Sequence, residues 1–207
     1  MKKKNNKIKE LIHELKHHLP FTAIATILAI ILVILIIYLS NSNVSEELFN
    51  ILHPLHILAS AIVTAGIFYR YKQNFFQALL VGMLGSIIIG SISDVIFPYL
   101  GAVIFQLKPE FHLPIIEKPI LILSSVILGS LIGITTKVTK LPHLLHVFIS
   151  VFASLFYLLT FSSVFSWIFF LLAFIIVLIS VIIPCCVSDI IFPFFFLGKK
   201  IKHCNCH

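Results

Sequence analysis

A chain of 207 residues that is 59% hydrophobic and only 11% charged lies far from a soluble globular composition, and its apolar stretches repeatedly reach the ~20 residues a helix needs to cross a bilayer. Those stretches are continuous rather than alternating, which excludes a β-barrel. The net charge of +7 has no soluble basic domain to carry it, so nucleic acid is excluded as a partner and anionic membrane lipids are favoured.

The expected fold is an all-α polytopic membrane protein of six transmembrane helices. Residues 1–19 form a basic arm. Within it "HELKH" at 13–17 has the His-Glu-x-x-His spacing of zinc proteases, but Lys16 intrudes and no third ligand is evident, so it reads as an amphipathic stub before the first span. The apolar run 21–39 is long for a signal peptide, and "SNSNVSEE" after it lacks a small-x-small cleavage site. It is therefore expected to be a span.

Spans are expected at 20–40, 50–70, 75–97, 118–136, 141–162 and 165–187. Short re-entrant or interfacial segments should follow Asp94 and Asp189, where Pro98 and Pro193 interrupt apolar sequence. The division is an arm (1–19), a first three-helix repeat (20–106), a loop (107–117), a second repeat (118–198) and a Cys/His tail (199–207). Lys and Arg concentrate in the arm, in the loops holding Arg70, Lys72, Lys137 and Lys140, and in the tail. This predicts both termini on the cytoplasmic side, in the cytoplasmic membrane of a prokaryote. The loop holding Lys108 and Lys118 lies opposite. Four cysteines, two adjacent and two in the tail, do not suggest disulfides.

The chain also repeats itself. "SDVIFP" at 93–98 and "SDIIFP" at 188–193 agree in five of six letters and hold the only two aspartates. "HPLHILASAIVT" at 53–64 matches "HLLHVFISVFAS" at 143–154, each copy lying upstream of its aspartate phrase. A weaker match sets His18 before Pro20 and Glu117 before Pro119. Three helices per half would invert the second half, an arrangement found in many secondary transporters.

Histidines three apart share one helix face, and a carboxylate from a neighbouring helix completes a His/His/Asp set suited to Zn, Mn, Fe, Co or Ni. Two metal sites are expected: His53, His56, Asp94 and Glu117 near the outer face, and His143, His146, Asp189, His18 and Cys186 near the inner face. Ser60 and Thr64, and Ser150 and Ser154, would extend each His face as a polar stripe supporting the ligands. His112 is either a further outer ligand or a solvated loop residue, and Cys185 and Cys186 are either ligands or small buried residues. The alternative for each cluster is a helix–helix hydrogen-bond network, with Asp94 and Asp189 as helix caps. The tail "HCNCH", with His203, Cys204, Cys206 and His207, is a second candidate metal-binding element or an unstructured end.

The function expected is a permease for a divalent transition-metal ion with two quasi-symmetric sites, a homo-oligomer being compatible with so small a bundle. The rivals are an intramembrane metalloenzyme hydrolysing a lipid-like substrate, and a non-catalytic scaffold subunit that holds no metal.

Overall fold

A computed structural model describes the backbone of residues 2–40, 46–136, 140–163 and 167–197, and the side chains of 19–39, 46–136, 145–163 and 167–184. Among the described residues eight α-helices follow one another: α1 Lys2–Ser40, α2 Glu46–Tyr71, α3 Phe75–Ser91, α4 Phe97–Ile104, α5 Pro114–Glu117, α6 Pro119–Thr136, α7 Lys140–Phe161 and α8 Trp167–Leu197. A π-helical turn, Ile92–Ile96, joins α3 to α4. Among the described residues no strand forms; one isolated bridge pairs Pro109 with Ser162.

Among the described residues five helical segments are long and apolar enough to cross a membrane: Leu19–Leu39, Glu46–Tyr71, Phe75–Ile104, Pro119–Thr136 and Trp167–Pro184. The span expected at 141–162 falls on α7, whose described apolar part, Leu145–Phe161, is shorter. Large apolar side chains such as Ile24, Leu28, Ile31, Leu80, Leu84, Ile120 and Leu171 stand exposed along these helices. In water they would be a liability; lipid tails cover them without cost.

Local chemistry accounts for several helix ends. Glu46 and Glu47 open α2, where negative charge suits the helix dipole. Asn74 caps α3 by accepting a hydrogen bond from the Gln77 N–H at 3.1 Å. Proline stands at the start of α6, where no backbone donor is needed.

The expected break after Asp94 does not occur. The chain stays helical through Pro98 to Ile104, and the proline is accommodated by widening the preceding turn. The Phe97 N–H reaches back five residues to the Ile92 carbonyl. A proline ring clashes with the carbonyl four residues earlier in a regular α-helix, which here is that of Asp94, and a π turn relieves the clash. Likewise α8 runs beyond Pro193 to Leu197 rather than stopping at Asp189. Both segments continue the preceding helix, and Asp94 is no helix cap: it sits inside the π turn.

Helix α2 is the centre of the bundle, packed against α6, α7 and α3. Its contact with α6 is backbone on backbone. A Cβ added at Gly129 would lie 2.3 Å from the Leu58 carbonyl oxygen, and one at Gly133 would lie 2.2 Å from that of Ile62. Gly129 and Gly133 form a G-x-x-x-G pair, the motif that lets membrane helices approach most closely. On the other side α7, α8 and α1 share an apolar core including Val151, Leu155, Phe169, Val177 and Ala29.

Candidate functional site: a buried histidine–aspartate cluster

His53 and His56 lie on one face of α2, and Asp94 enters from the π turn. Both imidazoles meet the same carboxylate oxygen: Nδ1 of His53 is 2.9 Å and Nδ1 of His56 is 2.7 Å from Oδ2. All three side chains are fully buried. The other oxygen, Oδ1, accepts from the hydroxyls of Ser93 at 2.8 Å and Ser150 at 2.9 Å. An ionised carboxylate has about four acceptor positions, and here four protein donors occupy them. Each histidine must then carry its proton on Nδ1. In the neutral form that leaves Nε2 as an acceptor, and the Nε2 atoms of His53 and His56 are buried without a hydrogen-bond partner. An unsatisfied buried polar atom costs about 1–3 kcal/mol.

The π turn also explains why Ser154 is polar. With Phe97 bonded to Ile92, the Ser93 carbonyl would need a donor at Pro98, which has no N–H. The Ser154 hydroxyl supplies it at 3.0 Å. Proline, widened turn, carboxylate and two serines of α7 are thus one arrangement.

Helices α2 and α7 lie antiparallel. Phe49, near the start of α2, meets Tyr157 and Phe161 near the end of α7, while His56, further along α2, stacks on His146 near the start of α7. The His56 and His146 ring centres are 5.7 Å apart and the planes differ by 8°. His146 is therefore beside the His53–Asp94–His56 cluster, rather than apart from it as two separate sites would require. The second His-x-x-His stripe lends His146, Ser150 and Ser154 to the first aspartate because the two stripes face each other.

Glu117 does not join His53, His56 and Asp94. It pairs with His112, Nδ1 to Oε2 at 2.7 Å, and its side chain is 40% exposed. The reason is local: α5 is a single turn beginning at Pro114, and the Leu113 N–H binds the other carboxylate oxygen at 3.3 Å. His112 is thereby a partner of Glu117 rather than a solvated residue; its ring stacks on Phe161 at 4.5 Å. Ser60 and Thr64 are buried on α2, and the Thr64 hydroxyl has no hydrogen-bond partner. The side chains of His143, Asp189, Cys185, Cys186 and His18 lie outside the described residues, as do His203, Cys204, Cys206 and His207. Among the described residues, no group of three or more His, Cys, Asp or Glu side chains is arranged to hold a metal ion.

Two contributors escaped the sequence reading. Ser93 precedes Asp94 in a phrase whose duplicate keeps the serine as Ser188, a signal that its hydroxyl has a task. Gly90 lies four residues before Asp94, and a Cβ there would meet the Ile57 side chain at 2.9 Å and His56 Nδ1 at 3.9 Å, so its absence lets α3 close on the cluster.

Comparison of the chain with models of protein families, with curated proteins and with solved structures gives no match. The class that the helices define is an all-helical protein built for a membrane, and its most distinctive chemistry is the His53–Asp94–His56 cluster.

Proposed function

We propose that the chain is an integral membrane permease for a divalent transition-metal ion, with His53, His56 and Asp94 as the groups that take up the cargo. One observation carries the reading. Two fully buried imidazoles share a single carboxylate oxygen, and each keeps an unpartnered Nε2. Ionisable groups at membrane depth cost about 2.5–3.5 kcal/mol or more on insertion scales, and such groups most often mark ion pathways. Imidazole held through one nitrogen by a carboxylate is also the usual state of a metal-ligating histidine, whose other nitrogen binds the ion. In this reading the hydrogen bonds to Asp94 hold the two rings in register, leaving each Nε2 to meet the ion. His146, stacked on His56, is the group to which the ion would pass next. The remaining ligands of the second copy, His143 and Asp189, then extend the path from His146 in an inverted half, so that access alternates between the two faces.

A second reading is favoured by a different observation. The four donors around Asp94 already satisfy it completely, as expected of a polar staple that holds α2, α3 and α7 together in a scaffold subunit.

Equilibrium metal binding separates the two. The protein lacking residues 204–207 is titrated with Zn²⁺, Mn²⁺, Co²⁺ and Ni²⁺ and bound metal is counted per chain. The permease reading expects at least one ion per chain, lost in the His53→Ala/His56→Ala variant. Absence of binding from the truncated protein, folded by size-exclusion and thermal melting, would leave the staple.

A further inference from the structure

A line of contacting side chains joins the buried cluster to the partly exposed Glu117, and one member of it, Phe49, is apolar. The Phe49 ring is fully buried and lies between two imidazoles. It stacks on His53, centre to centre 5.5 Å with planes 19° apart, and meets His112 edge-on at 6.0 Å and 69°. Tyr157 and Phe161 close a collar around it at 5.4 and 5.6 Å. Beyond His112 stands Glu117, paired with it and partly exposed. The sequence of side chains from surface to buried carboxylate is thus Glu117, His112, Phe49, His53, Asp94, polar at every step but one.

We propose that Phe49 is the gate between the His112–Glu117 mouth and the buried His53–Asp94–His56 cluster. This rests on the permease reading for its purpose, although the gate itself is a matter of access. A phenyl ring neither ligates a transition-metal ion nor relays a proton, so traffic along this line requires the ring to turn aside.

The loop 105–113 is strapped to the same collar. The Tyr157 hydroxyl accepts the His112 N–H at 3.3 Å and donates to the Glu110 carbonyl at 3.2 Å, and the Glu110 N–H binds the Phe161 carbonyl at 2.8 Å. Two residues at the root of that loop, Gln106 (φ 57°) and Lys108 (φ 51°), hold left-handed backbone that is unfavourable for side chains of their size.

The test is the rate at which diethyl pyrocarbonate modifies His53 and His56 in the intact detergent-solubilised protein, read by mass spectrometry of the peptide that carries them. In Phe49→Ala the rate is expected to rise at least tenfold, and in Phe49→Leu, which keeps much of the apolar volume, by a smaller factor. Phe169→Ala, which removes an equally buried ring from the α8 core, controls for general loosening and is expected to stay near the native rate. If Phe49→Ala does not fold, Phe49→Leu against Phe169→Ala decides. Native-like labelling of His53 in the Phe49 variants, or an equal rise in Phe169→Ala, overturns the gate. Metal binding that persists alongside such a result would keep the permease reading. Fast labelling in a protein that binds no metal would remove the cargo and keep the gate.

Discussion

Asp94 is the residue on which the buried chemistry converges. It accepts from two imidazoles and two hydroxyls, so its removal strands four donors at once. Breaking a buried ionic arrangement by deleting one partner costs about 3–5 kcal/mol, whereas a single hydrogen bond between membrane helices averages about 0.6 kcal/mol and reaches about 1.7. Asp94→Ala is therefore expected to lower stability several times more than Ser150→Ala, as measured by reversible unfolding in mixed detergent micelles. Equal losses would mean that Asp94 is not the hub. The meeting of His53, His56 and Asp94 was legible in the sequence because three-residue spacing fixes a helix face and the aspartates are so scarce. The partnership of Glu117 was not, because which end of a long loop a carboxylate serves depends on the loop's fold. The pattern shows a polar stripe at Ser150 and Ser154, but not that it faces the other copy's aspartate.

At the scale of elements, two devices bring the residues together. The first is the π turn. The sequence shows its cause, Pro98 four residues after Asp94, yet a proline in an apolar run is equally compatible with a break, and only the packing around Ala102 and Gly101 shows that the helix continues. The second is the glycine seam between α2 and α6. The G-x-x-x-G at 129–133 is plain in the sequence, but spacing alone does not say which helix the two glycines face. Backbone carbonyls fill the space on the far side, and neither can rotate away. Gly129→Ala and Gly133→Ala are each expected to destabilise the bundle by about 1–3 kcal/mol, the usual range for overpacking. Gly66→Ala, whose Cβ would meet the Gly133 oxygen at a looser 3.1 Å, is expected to cost less. Thermal unfolding of the three variants checks the order; a Gly66→Ala loss exceeding the other two would show that the seam is not the tight point.

For the whole molecule, the hydropathy pattern alone accounts for the long apolar helices and nearly all their positions, since continuous runs in a chain so poor in charge admit few alternatives. What it could not supply is the sharing between copies. Antiparallel contact between α2 and α7 sets His146 against His56 and two serines against the other copy's carboxylate, which turns a pair of motifs into one buried centre. The measurement that tests the cation-binding role proposed for this centre most directly is flux into proteoliposomes loaded with a metal-sensitive dye. The native protein is predicted to admit a divalent transition-metal ion at a saturable rate, and His53→Ala/His56→Ala, reconstituted to equal amount, at a rate at least tenfold lower. Undiminished flux through the double variant, or none through the native protein with any of Zn²⁺, Mn²⁺, Fe²⁺, Co²⁺ and Ni²⁺, would contradict it.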